Sequence, residues 1–196
     1  MKQNEFEPYD NNLWYQKSVN RSLESSGIKF PSQINSEYNE DNPHIERLSN
    51  DTLILFFERE NHPQNISDFN IWYSMSSDNG NSWTEAQNVS SINNFGNSNS
   101  EHIQPHLHFE TSLNNWYLFF TTTYSDGKLA IYRSLKGTNW NDWQTPKLVL
   151  SSGNSIGIGE PTLTQNGDLY FVTVIENPNG TKYNRYDCDA WYIKRK

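Results

Sequence analysis

Three polar residues that each precede a proline, Asn42-Pro43, Gln104-Pro105 and Glu160-Pro161, recur along the 196-residue chain at intervals of 62 and 56 residues. The position after each proline holds His44, His106 or Thr162. Amides, imidazoles and a carboxylate at equivalent places can bond the hydroxyl groups of a small polar ligand. Asn42, His44, Gln104, His106 and Glu160 are therefore the expected ligand-binding set. Glu40, Asp41, Glu101 and His102 lie just upstream and add polarity. Glu160 sits in Gly157-Ile158-Gly159-Glu160-Pro161, where glycines permit close approach of a ligand. A carboxylate there suits glycoside chemistry, in which two carboxyl groups flank the scissile bond. Glu160 is thus the candidate catalytic residue. The competing reading is structural: its side chain bonds backbone groups of a neighbouring repeat.

His102, His106 and His108 are closely spaced, and the last two share a strand face. No further Cys or His pair repeats that spacing, so no metal and no cofactor is expected. Cys188 is the single cysteine, which excludes an internal disulfide. It stands between Asp187 and Asp189, whose charges disfavour a thiolate, and it reads as structural. Arg47, Arg59, Arg133 and Arg185 recur at no common position.

The elements that must position these residues also repeat. Each Pro-led segment is followed by a turn and an apolar run: Leu53 to Phe57, Tyr117 to Phe120, and Leu169 to Val172. A third strand with an aromatic centre comes next, at Ile71 to Tyr73, Leu129 to Tyr132 and Ala190 to Ile193. Leu13 to Gln16 repeats it near the N-terminus. Outer strands are expected at 83–89 and 143–149, with 28–34 as their N-terminal counterpart. Proline in two of these suits an edge. No stretch shows helical periodicity with caps. Four short strands per unit predict an all-β chain of β-propeller blades, each of four antiparallel strands. Labelled a to d from the axis outwards, the strands read c-d, a-b-c-d, a-b-c-d, a-b-c. That is a partial ring of about three blades over residues 13–196, after a polar segment at 1–12. In such an architecture the starts of the a strands, with their proline pairs, face the central pocket.

Between the third and outer strands of the first full unit lies Ser76-Ser77-Asp78-Asn79-Gly80-Asn81-Ser82-Trp83. Asp78 can accept backbone N–H bonds inside a turn, Gly80 can take positive φ, Ser82 adds a local bond, and Trp83 anchors the turn. The pattern Ser-x-Asp-x-Gly-x-Ser-Trp resembles the Asp box, or BNR repeat, of sialidase-type β-propellers. In the resembled family the box is a folding device at the blade periphery, so Ser76, Asp78, Gly80, Ser82 and Trp83 are expected to be structural. The loop from Ser134 to Trp140 occupies the same place in the next unit and lacks the aspartate. The resemblance also implies an arginine cluster, a Tyr–Glu nucleophile pair and an Asp acid, and these do not map onto this sequence. The segment from Glu160 to Phe171 further resembles the repeats of periplasmic propellers that bind proteins. Three functions follow: a carbohydrate-binding propeller without clear catalytic residues, a sialidase or other glycoside hydrolase, or a protein-interaction propeller.

Composition narrows the partners. The net charge of −8 disfavours nucleic acid and anionic membrane surfaces, and no apolar run is long enough to insert. No leader-like segment opens the sequence, although the resembled families are often exported. Partial blades at both ends predict exposed apolar faces, with Phe56, Trp72, Phe119 and Trp191 among them, and hence a homodimer.

Overall fold

The computed structural model describes residues 11–16, 27–60, 68–124, 127–179 and 186–195. Most of the 1–12 segment, and Arg185, lie outside them. Four antiparallel sheets follow one another along the chain. The first pairs β1 (Trp14–Tyr15) with β2 (Ile28–Lys29). Blade 1 runs in order through β3 (Glu40–Arg47), β4 (Leu53–Glu60), β5 (Phe69–Ser76) and β6 (Gln87–Asn88). A single helical turn, α1 (Ser90–Asn93), leads to blade 2. This comprises β7 (His102–Glu110), β8 (Asn115–Thr122), β9 (Ala130–Leu135) and β10 (Lys147–Leu150). Blade 3 has β11 (Gly157–Leu163), β12 (Leu169–Glu176) and β13 (Tyr186–Ile193). The expected all-β blades and their c-d, a-b-c-d, a-b-c-d, a-b-c order are present.

All three outer strands are shorter than expected, β10 beginning only at Lys147. After β2 the chain turns at Pro31, whose carbonyl accepts the N–H groups of Ile34 and Asn35. Phe30 and Ile34 thereby drop into the core rather than alternating along a strand. In blade 1, β6 ends early because the Asn93 amide takes over the edge of β5, accepting from Ile71 N–H and donating to Ile71 C=O. The helical turn that carries Asn93 has no periodic sequence signal.

Each following blade packs its a strand, β7 or β11, across the a, b and c strands of the blade before it. Phe56, Ile54, Ile71 and Tyr73 of blade 1 meet Leu107, Leu118, Phe120 and Tyr132 of blade 2, with Trp143 closing the cluster. Full burial of each large side chain contributes roughly 1.5–3 kcal/mol. Phe119, Ile131 and Ile158 form the seam between blades 2 and 3. Leu13, Phe30 and Ile34 cover Leu55 and Phe57 on the other side of blade 1. The expectation that Phe56 and Phe119 lie on end faces is therefore corrected. Side chains alternate across a strand, and an inner blade has neighbours on both sides, so both rings are buried. Trp72 is half-buried beneath the Arg59 guanidinium, 4.5 Å away. Trp191 is 55% exposed on blade 3.

The outer turns of blades 1 and 2 hold the same pair of atoms in opposite order. In blade 1 Asp78 accepts from Ser82 Oγ at 2.6 Å and from the backbone N–H groups of Asn81 and Ser82. Gly80 has φ +81°, and its N–H reaches Ser76 Oγ at 2.8 Å. Sixty residues on, Thr138 stands where Asp78 does and Asp142 where Ser82 does. Thr138 donates from both N–H and Oγ1 to Asp142 Oδ2, at 2.9 and 3.0 Å. The blade 2 turn thus lacks an aspartate at the box position, as expected, and carries a carboxylate on the other arm instead. Ser74 and Ser134 close the two turns alike, each donating from Oγ to a carbonyl, of Thr84 and Gln144 respectively.

Candidate functional site

Each a strand carries one extra residue at its proline. The pairing of β3 with β4 shifts between Asp41 and His44, that of β7 with β8 between Ile103 and His106, and that of β11 with β12 between Gly159 and Thr162. At a bulge proline removes no ladder bond, which is why it is tolerated there. The residue before each proline takes a left-handed conformation: φ is +47° at Asn42, +55° at Gln104 and +55° at Glu160. Such conformations cost on the order of 1–3 kcal/mol for a residue with a side chain, so something must hold them.

Hydrogen bonds between blades hold two of the three. Gln104 N–H donates to Glu58 Oε2 of blade 1 at 2.8 Å. Glu160 N–H donates to Gln104 Oε1 of blade 2 at 2.8 Å. The first bulge is held within its own blade, Asn42 N–H to Asp41 Oδ1 at 2.9 Å. Asn42 also donates from Nδ2 to Glu58 Oε1, so both oxygens of Glu58 are occupied. Gly159 is required here for space, because a Cβ at that position would overlap Gln104 Oε1.

The bulges bring all five expected binding residues together. Asn42, His44, Gln104, His106 and Glu160, with Thr162 and the three prolines, line one open cavity of about 280 Å³. His44 and His106 form its inner layer, their rings tilted by 54° with centroids 4.1 Å apart. Burial lowers the His44 pKa to about 4, against a backbone hydrogen bond to Leu107. Burial, then the neighbouring His44 and His108, lower that of His106 to about 3. Both rings are uncharged at neutral pH, and His106 Nε2 accepts from Leu163 N–H at 3.1 Å. The same two rings also line a larger cavity of about 860 Å³, with Glu46, His108 and Trp116 among its walls.

Other expected residues stand elsewhere. His102 is buried and bonds Phe95 C=O, apart from the rim. Among the described residues no group of three or more His, Cys, Asp or Glu is arranged to hold a metal ion. Arg47 reaches Asn50 C=O and Asn79, Arg59 pairs with Glu40 at 2.8 Å, Arg133 lies over Tyr117, and Arg195 pairs with Glu110. None of these four lines the rim cavity. Cys188 is exposed on β13.

Glu58 is the residue that sequence reasoning missed. It is buried, and desolvation raises its pKa to about 7 despite the opposing bonds from Gln104 N–H and the Asn42 amide. Asp41 and Glu101 nearby push in the same direction as burial. The available signal was a charged run, Glu58-Arg59-Glu60, ending an apolar strand whose every residue is buried.

No family model and no curated protein matches this sequence. Solved structures do. A Hadza microbial sialidase aligns with a TM-score of 0.52 at 12% identity, over 79% of this chain and 35% of its own. The catalytic domain of a Coprinopsis cinerea GH62 α-L-arabinofuranosidase aligns at 0.47 and 13%, over 86% and 48%. The Podospora anserina α-L-arabinofuranosidase, solved with cellotriose, aligns at 0.46 and 14%, over 70% and 43%. The chain thus spans less than half the length of each. The fold is that of a sialidase-like β-propeller.

Proposed function

We propose that the chain binds carbohydrate at the rim cavity of a sialidase-like propeller, and that the Ser76–Trp83 turn is an Asp box serving the fold alone. One observation carries this reading. Three equivalent bulges, one per blade, bring two amides and a carboxylate to the same opening above two uncharged imidazoles. Polar groups in fixed directions around a small opening suit the hydroxyls of a sugar. The same fold is used by glycosidases, which favours hydrolysis as a second reading. Hydrolysis needs a second carboxyl group across the bond, and among the described residues Glu160 is the one carboxylate that lines this cavity.

A glycan array probed with the full chain tests the proposal. Binding to defined glycans, weakened but still measurable on Glu160→Gln with the melting temperature nearly unchanged, is the expected result. Retention of a protein partner with no glycan signal would favour an interaction propeller instead. A panel of fluorogenic glycosides, sialosides included, decides between binding and turnover.

A further inference from the structure

Resting on that carbohydrate reading, we infer that the rim cavity selects uncharged, hydroxyl-rich sugars and rejects sugars that carry a carboxylate. The orientation of two amides supplies the argument. Asn42 commits its Nδ2 to Glu58 Oε1, which leaves Oδ1, an acceptor, as the end of that amide without a partner among the described residues. Gln104 is turned the other way. Its Oε1 accepts from Glu160 N–H, and Nε2, a donor, is the end left over. Hydrogen-bond networks of this kind are what assign amide orientations. The Glu160 side chain is exposed and accepts only, when ionised.

The rim therefore offers acceptor, donor and acceptor in chain order, one from each blade. Sugar hydroxyls both donate and accept, so neighbouring hydroxyls on a ring can satisfy all three. A carboxylate carries no proton. Of the two rim amides it can pair with Gln104 Nε2 alone, with the Thr162 hydroxyl as a further neutral donor, and it must face Asn42 Oδ1 and the like charge of Glu160. Among the described residues no lysine or arginine lines the cavity to offset that repulsion. The histidines supply no positive charge, since both are held neutral; His106 accepts at Nε2 and so keeps its proton on Nδ1 as one neutral donor. Unpaired and like-charged groups are the means by which a site rejects a near-identical ligand.

The test uses matched pairs that differ only at one carbon: methyl β-D-glucoside against methyl β-D-glucuronide, and methyl β-D-galactoside against methyl β-D-galacturonide. Each is titrated into the full chain and followed by amide chemical shifts around Asn42, Gln104 and Glu160. The neutral member is expected to bind at least about tenfold more tightly. Glu160→Gln keeps the backbone bond to Gln104 and removes the charge, so the gap should narrow severalfold. A uronide that binds as tightly as its neutral partner overturns the inference and leaves carbohydrate binding standing. A gap unchanged in Glu160→Gln overturns it too. Absence of binding by every glycoside, together with an empty glycan array, overturns the carbohydrate reading itself.

Discussion

The outer turn of blade 1 spends its carboxylate on the first arm, at Asp78, and that of blade 2 on the second arm, at Asp142. Both carboxylates sit on the surface, and hydrogen bonds from the opposite arm lower both pKa values, that of Asp78 to about 2. What differs is the tryptophan that follows. Trp143 is buried within the main core, beside Phe56 and Trp140, and donates from Nε1 to Trp140 C=O. Trp83 is only half-buried and packs edge-on against Phe30 of the N-terminal pair. The hydroxyl–carboxylate bond is therefore indifferent to which arm supplies which partner, whereas the anchor depends on what the neighbouring blade offers.

The largest test of that difference is truncation of the anchors. Trp143→Ala should cost about 3–5 kcal/mol, and Trp83→Ala distinctly less, by chemical denaturation of each variant. Equal losses would show that the two anchors share one environment. Gly80→Val comes next. A β-branched residue at positive φ should cost roughly 1–3 kcal/mol, read as a lower melting temperature. A melting temperature equal to the parent's would remove the turn from the account.

A smaller effect is expected from exchanging partners. Thr138→Asp combined with Asp142→Ser rewrites the blade 2 turn in the order of blade 1. The double variant should melt close to the parent, and Asp142→Ala clearly below it. If the double variant falls as far as Asp142→Ala, the bond is not reversible.

The smallest effect is the pH dependence, where turn and rim should differ in sign. Asp78 has a folded pKa below its unfolded value, so its stabilisation is present above about pH 4 and is lost as pH falls toward 2. Glu58 has a folded pKa above its unfolded value of 4.5, so its contribution is present below that pH and is lost as pH rises through about 7. His44, lowered from 6.5 to about 4, acts against Glu58 by losing stabilisation as pH falls through that window. The difference between parent and variant is therefore the informative quantity. Glu58→Gln should remove the part of the slope that falls between pH 4.5 and 7, and Asp78→Asn should leave that window untouched.

Much of this was legible because repetition was. Three proline pairs fixed the start of each a strand, and the apolar and aromatic runs fixed b and c. The same pairs located the rim, since a proline beside a polar residue marks a bulge in all three blades. Less legible were features that depend on partners far apart in sequence. Asp142 escapes a pattern that fixes the order of aspartate and serine, although the bond it makes is the same. Glu58 lies in a strand read as apolar, and its importance comes from Gln104, 46 residues away. Asn93 replaces a strand edge with a side-chain amide, which leaves no periodicity to find.

The bulge bonds give the array a direction. The left-handed bend of blade 2 is fastened by a side chain of blade 1, and that of blade 3 by a side chain of blade 2. Each fastening thus joins a side chain of one blade to the backbone of the next. Loosening Glu58 should release the amide of Gln104 to hydrogen exchange and, through the Gln104 side chain, that of Glu160. Loosening blade 3 should free the Gln104 side chain while its backbone amide stays on Glu58. The propeller edge is a row of fastenings, in which each blade holds the bend of the next and is held by it in turn.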